Sequence, residues 1–252
     1  MQWEPYRGET VAGDVRVLRG ALDRELYAYL PPSYEQSDRR FPVLYMHDGR
    51  NLFDEPLSFN GEWRVDETME ELAREGLEAI VVGVPHAEDR VAEYVPSARG
   101  AAYVDFLAAE VKAVVDATLR TDPGRETTGL AGSSLGGTIS LFGFLARNDV
   151  FSFAGVMSPA LWLDESLFAL AEDTPRRDGR IWLDVGGRED VDDPATNQRY
   201  IDGFERMASI LRGKGYDETQ LRTLLVPEAI HHETAWSVRL PDALRFLLPV
   251  AR

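Results

Sequence analysis

Three kinds of side chain stand where together they could transfer an acyl group. They are a serine within Gly132-Ser133-Ser134-Leu135-Gly136, a carboxylate at Glu189 or Asp190, and an imidazole at His231 or His232. A serine hydroxyl is a weak nucleophile until a neighbouring base takes its proton, and the base works best when a carboxylate fixes its tautomer. The first stretch is a G-x-S-x-G pattern. Small residues two before and two after the central serine let a strand and a helix approach closely across a sharp turn. The pattern therefore predicts a strand through Thr128-Gly129-Leu130-Ala131, Ser134 projecting outward, and a helix from Leu135 to about residue 146. At that helix N-terminus, free N–H groups and the dipole favour a developing negative charge. Ser133 should point away.

The acid and the histidine each follow a segment of strand character, so all three groups should reach one rim. The chain order is serine, acid, histidine, which is the order of the α/β-hydrolase arrangement. Glu189 and Asp190 lie just past Gly186-Gly187, whereas Asp184 lies within the strand and should face the sheet flank. Periodicity does not choose between His231 and His232. Acyl transfer also needs two donors for the oxyanion, each worth about 3 kcal/mol in the transition state. The N–H of Leu135 is one. The second is expected from the loop His47-Asp48-Gly49-Arg50-Asn51, with Arg50 first and Gly49 next. Trp162 and Asn51 are expected to line the substrate pocket, with Trp63, Tyr94 and Trp236 as further apolar walls. His47 and His86 are expected as hydrogen-bonded loop residues.

The elements that must position these groups alternate along the chain. Residues 14–18 and 25–30 read as an antiparallel pair at the N-terminal edge. Residues 41–47, 79–84, 128–133, 153–159, 180–185 and 221–226 read as strands, the first as a continuous apolar run of the kind a central strand shows when covered on both faces and the second as buried too. Helices are expected over 63–75, 101–119, 135–146, 196–213 and 234–248, and a long loop over 86–98. Alternation of this kind predicts an α/β fold. Its central sheet should be mostly parallel with an antiparallel N-terminal edge, helices on both faces, and the ligand site at the carboxyl ends of the strands. One domain over residues 1–252 is expected, since no repeat or linker is visible.

Composition narrows the function. With 44% hydrophobic and 28% charged residues the chain resembles ordinary globular proteins, and its apolar runs are too short to cross a bilayer. The sequence contains no cysteine, which excludes a cysteine nucleophile and thiolate metal sites. A formal net charge of −16 makes nucleic acid and anionic membranes poor partners. The N-terminal residues lack the pattern of a secretory signal, so the expected compartment is the cytoplasm. The acidic run Asp190, Asp192, Asp193 matches no calcium loop, and His231-His232 lacks the spacing of a zinc helix, so no metal site and no cofactor are expected.

Four stretches resemble the esterase-D-like branch of α/β-hydrolases, which includes enterochelin-esterase-like proteins, feruloyl and acetyl-xylan esterases, S-formylglutathione hydrolase and the mycolyltransferases. They are Val43 to Phe53, Gly132-Ser133-Ser134-Leu135-Gly136-Gly137, Asp184 to Glu189, and His231-His232-Glu233-Thr234-Ala235-Trp236. The resemblance implies the α/β-hydrolase fold over roughly residues 20 to 250 and an oxyanion N–H from Arg50. The family's H-x-E-x-x-W pattern selects His231. Its acid, the third residue after a glycine, is Glu189 counted from Gly186 and Asp190 counted from Gly187. The implied function is a serine esterase acting on a small-molecule carboxylic ester through an acyl-enzyme on Ser134. The alternatives are an acyltransferase with the same groups and a binding domain that has lost turnover.

Overall fold

The computed structural model describes residues 2–249. The N-terminal segments pair as an antiparallel edge of Glu4–Pro5 (β1), Asp14–Leu18 (β2) and Leu26–Leu30 (β3). The next strand is Val43–His47 (β4), followed by helix Val65–Arg74 (α1) and strand Ile80–Val84 (β5). After Arg90–Tyr94 (α2), a long helix runs from Ala98–Phe106 (α3) through a π-helical turn at Leu107–Val111 into Lys112–Thr118 (α4). Thr128–Ser133 (β6), Leu135–Ala146 (α5), Phe153–Met157 (β7), Ser166–Asp173 (α6) and Arg180–Arg188 (β8) follow. Pro194–Gly213 (α7), Leu221–Ile230 (β9) and Glu233–Leu247 (α8) complete the described chain.

All nine strands join one sheet in the order β1-β2-β3-β5-β4-β6-β7-β8-β9. From β5 to β9 every pair is parallel. The sheet is thus the mostly parallel one that the alternation predicts, with its antiparallel edge where expected. The order reverses between β4 and β6, because β5 lies on one side of β4 and β6 on the other. At such a switch point the loops leaving the two strands turn apart and open a crevice at their carboxyl ends. Those loops carry Asp48 to Asn51 and Ser134.

Apolar residues spaced for a helical stripe explain the two layers. Val65, Met69 and Leu72 of α1 pack with Trp236, Leu240 and Leu244 of α8 on one face. Residues from α2 to α7, among them Tyr94, Tyr103, Ile139, Phe168 and Met207, cover the other. Helix α5 is apolar all round, as a helix covered on every side must be, and ten of its residues are buried.

The structure differs from the sequence reading in several places, among them the added strand β1 and the extension of β8 from 185 to Arg188. Residues 86–98, expected as loop, contain α2, capped by the Asp89 side chain on the Ala92 N–H. Helix α6 was not expected. Strand β9 continues past Val226 to Ile230 through Pro227, which a strand tolerates at a sheet edge because the missing N–H faces outward. Among the described residues, no helix is long and apolar enough to cross a membrane.

Candidate active site

Ser134 occupies the turn between β6 and α5 with φ 56° and ψ −126°, a backbone conformation that costs a non-glycine residue about 1–3 kcal/mol. Its neighbours make the turn possible. A Cβ at Gly132 would stand 2.8 Å from the carbonyl carbon of Gly136, so only glycine allows the strand to pass the helix. The Ser134 N–H is tied to the Met157 carbonyl (3.0 Å), which anchors the turn to β7. Leu135 is the first residue of α5, where a backbone N–H has no partner within the helix. Ser133, beside Ser134, is buried.

Glu189 and His231 meet across the ends of β8 and β9. His231 Nδ1 lies 2.6 Å from Glu189 Oε2, which places the ring proton on Nδ1 and leaves Nε2 as the basic nitrogen. The other carboxylate oxygen, Oε1, accepts from Ser158 Oγ (2.5 Å) and from the Gly186 N–H. Burial opposes ionisation of Glu189, but the bond and charge of His231 and the donors from Ser158 and Gly186 outweigh it and hold its pKa below the ordinary value. The carboxylate is therefore ionised at neutral pH.

Asp190, the other sequence candidate for the acid, does not reach His231. Its Oδ1 accepts from the N–H groups of Asp192 (3.1 Å) and Asp193 (2.9 Å), and its own N–H donates to Asn197 (3.3 Å). It shapes the loop into α7. His232 likewise caps α8, its Nδ1 accepting from the Thr234 N–H (3.2 Å).

Ser158 belongs to a buried network that the sequence reading missed. It sits at φ 42° and receives donors from Trp236 Nε1 (3.0 Å) and Arg239 Nη2 (2.9 Å) while donating to Glu189. Arg239 also pairs with Asp184 (3.1 Å), whose pKa burial pushes up to about 6 against the pull of that arginine and of Trp182. Asp184 thus lies in the sheet flank, as its place in the strand implies. The available signal for Ser158 was its position at the end of β7 before Pro159.

Tyr200 was also missed. Its ring lies 5.8 Å from the Trp162 indole and 5.0 Å from the His231 imidazole. Trp236 meets the same imidazole edge-on at 4.9 Å. Two aromatic rings therefore hold His231 in place. From sequence, Tyr200, Phe204, Ala208 and Leu211 read only as the core stripe of a helix.

Asp48 has φ 53° and opens a short 3-10 turn over Gly49–Asn51. Its carboxylate takes two bonds from Arg90 (both 2.7 Å), and its N–H donates to the Tyr94 hydroxyl (3.0 Å). Helix α2 therefore clamps the loop that carries the Arg50 N–H. A Cβ on Gly49 would stand 2.4 Å from the Gly83 carbonyl carbon, so β5 also fixes this loop. The Arg50 guanidinium points elsewhere, to Glu25 (3.1 Å).

A cavity of about 420 Å³ opens beside this turn, lined by Asp48, Arg50, Asn51, Phe59, His86 and Arg90 among others. Asn51 lines it, but its amide is engaged, donating to Glu233 (3.1 Å) and accepting from the Phe59 N–H (3.2 Å). Trp162, the other expected pocket residue, packs edge-on against Tyr200 at 5.8 Å and stands apart from this lining. Trp63 and Trp236 are buried with their rings 5.5 Å apart and tilted, and Tyr94 is fully buried, so these three are core and do not form walls. His47 is buried with Nδ1 on the Tyr103 hydroxyl (2.9 Å), and His86 bonds the Ala87 carbonyl (2.5 Å). Phe59, Val91, Leu163, Val191 and Ile230 are exposed apolar residues at or beyond the carboxyl ends of β4, β5, β7, β8 and β9. Each of these residues follows or ends a strand at the carboxyl edge of the sheet.

The sequence pattern of a family described as "Putative esterase" matches residues 21–247. A protein of Bacillus subtilis (strain 168), named YbbA and itself uncharacterized, is 23% identical over 241 residues, covering 90% of this chain and 93% of its own. Among solved structures, an IroE-like serine hydrolase from Shewanella oneidensis superposes with a TM-score of 0.72 at 19% identity, over 92% of this chain and 78% of that one. The enterobactin esterase Fes from Shigella flexneri gives 0.70 at 17% identity, over 95% of this chain but only 60% of the longer Fes chain. The superpositions show a shared fold, and the match over nine-tenths of the sequence completes the assignment: the chain belongs to the esterase family, carboxylic ester hydrolases built on the α/β-hydrolase fold.

Proposed function

We propose that the chain, acting as a single catalytic domain, hydrolyses a small-molecule carboxylic ester through an acyl-enzyme on Ser134. His231 Nε2 takes the Ser134 proton as Oγ attacks the carbonyl carbon, and Glu189 stabilises the imidazolium that results. The oxyanion is received by the N–H groups of Leu135 and Arg50, which the helix start and the clamped turn hold in advance. The C–O bond to the alcohol then breaks, and the alcohol leaves with the proton from His231. Water, activated by the same imidazole, attacks the acyl-enzyme and releases the acid. No cofactor enters these steps.

One observation carries this reading: the 2.6 Å contact between Glu189 and His231, on the same rim as a serine in a strained strand-to-helix turn. The exposed apolar residues at the carboxyl edge of the sheet favour an ester with an aromatic or aliphatic part. The test is fluorophosphonate labelling of the wild type, Ser134→Ala and His231→Ala, with peptide mapping of the adduct. Labelling confined to Ser134 of the wild type supports the mechanism. A folded wild type that neither labels nor cleaves an ester panel refutes it.

A further inference from the structure

Glu62, Asp66 and Glu67 lie away from the groups assigned to catalysis, each offering a ligand oxygen, and these oxygens all lie within 4.8 Å of one another. Glu62 and Asp66 are buried, with 6% and 0% of their surface exposed. Each acid has one oxygen satisfied and one left over. Thr10 Oγ1 donates to Glu62 Oε2 (2.9 Å), the Ala12 N–H to Asp66 Oδ2 (2.6 Å), and Arg64 Nε to Glu67 Oε1 (3.2 Å). Glu62 Oε1, Asp66 Oδ1 and Glu67 Oε2 are buried with no donor from outside the cluster, within which the Asp66 carboxyl meets only that of Glu67. Arg64, largely exposed, pairs with Glu67 alone.

Two buried carboxyls beside the part-buried Glu67, whose one arginine is peripheral, must take up either protons or a cation. Burial shows the cost, lifting the Glu62 carboxyl to about 7 and raising that of Asp66 as well. Two oxygens that share a calcium ion, at about 2.3–2.6 Å each, stand no more than about 5 Å apart, which accommodates the observed spacing. Magnesium, with bonds of about 2.1 Å and strict octahedral demands, tolerates fewer arrangements of fixed protein oxygens. We propose that the unpartnered oxygens of Glu62, Asp66 and Glu67 form a calcium-binding site that joins the N-terminal segment at Thr10–Ala12 to the start of α1.

The site has a structural consequence near the cleft. Glu62 ends the loop whose Leu57 and Phe59 line the cavity, and the next residue, Trp63, donates its N–H to the Asn51 carbonyl (2.8 Å). Calcium would therefore fix one wall of the cavity from beneath without touching the reacting atoms. The acidic run at Asp190, Asp192 and Asp193, by contrast, is an exposed or half-buried loop whose oxygens accept local N–H groups.

The experiment uses the full-length protein stripped with chelator and followed by thermal unfolding and titration calorimetry, with calcium, magnesium or matched sodium chloride. Calcium should raise Tm saturably by about 5 °C at ~5 mM, a chelator should reverse the rise, and calorimetry should give one site. Glu62→Gln and Asp66→Asn should each weaken calcium binding by about tenfold or more, whereas Asp192→Asn should respond as the wild type does. The proposal falls if the folded wild type shows neither a Tm rise nor binding heat with calcium, or if Glu62→Gln and Asp66→Asn respond undiminished. Stabilisation of the protein by either substitution in chelator, together with no calcium response in the wild type, would show that protons supply the missing charge.

Discussion

Glu189 Oε2 stands 2.6 Å from His231 Nδ1, while the carboxylate of the adjacent Asp190 turns to the N–H groups of its own loop. The two acids should therefore separate on substitution. Glu189→Gln would offer a neutral amide where an anion stabilises the imidazolium, and kcat should fall by about 10³–10⁴-fold. Asp190→Asn should leave kcat within about threefold, because an amide oxygen still accepts the loop N–H bonds. Steady-state kinetics on one activated ester decides the matter, and equal losses in both variants would remove Glu189 from its assigned role.

Gly49 gives access to the oxyanion donor without altering a side chain. Its missing Cβ would stand 2.4 Å from the Gly83 carbonyl carbon and 2.5 Å from the Val84 nitrogen, so Gly49→Ala must push the turn away from β5. The Arg50 N–H would move with it. We expect a loss in kcat of about 10²–10³-fold, the usual effect of losing one oxyanion donor, with about 1–3 kcal/mol of stability lost to overpacking. Kinetics alongside denaturant unfolding tests this, and a folded variant with near-normal kcat would argue that the second donor lies elsewhere.

Tyr200 sets its ring 5.0 Å from that of His231. If the ring positions the imidazole, Tyr200→Phe should change kcat by less than about fivefold. Tyr200→Ala would open a space beside His231, costing about 3 kcal/mol of stability and a much larger share of kcat. A greater loss in the phenylalanine variant than this would assign the hydroxyl a direct part in the reaction.

His47 predicts a pH effect on stability. Burial first, and the charge of Arg90 second, lower its pKa from the ordinary 6.5 to about 3. With the folded value depressed, the unfolded chain binds the proton more readily. Its contribution is fully present above pH 6.5 and is lost as pH falls from there toward 3, at about 1.4 kcal/mol per pH unit. Urea unfolding of the wild type and His47→Gln between pH 7 and pH 4 measures the difference. The variant should lose stability less steeply by about one proton, and parallel curves would contradict the assignment.

Much of this protein was legible in the sequence because the relevant physics is local. Gly132 and Gly136 around Ser134 require a turn where backbones touch, and the apolar runs at 43–47 and 80–84 require strands covered on both faces. Those features, with serine, acid and histidine after successive strands, led to the fold and to the rim where Ser134, Glu189 and His231 are found. Side-chain direction at a strand end is not local. Whether Glu189 or Asp190 faced His231 depended on a contact spanning 42 residues, and Asn51 met its partner Glu233 across 182. Tyr200 and Ser158 carried only core or loop signals until α7 and α8 packed onto the sheet. The clustering of Glu62 with Asp66 and Glu67 was likewise visible only once α1 and the N-terminal segment closed over them, because burial, which makes unpaired carboxylate oxygens costly, is a property of the assembled fold.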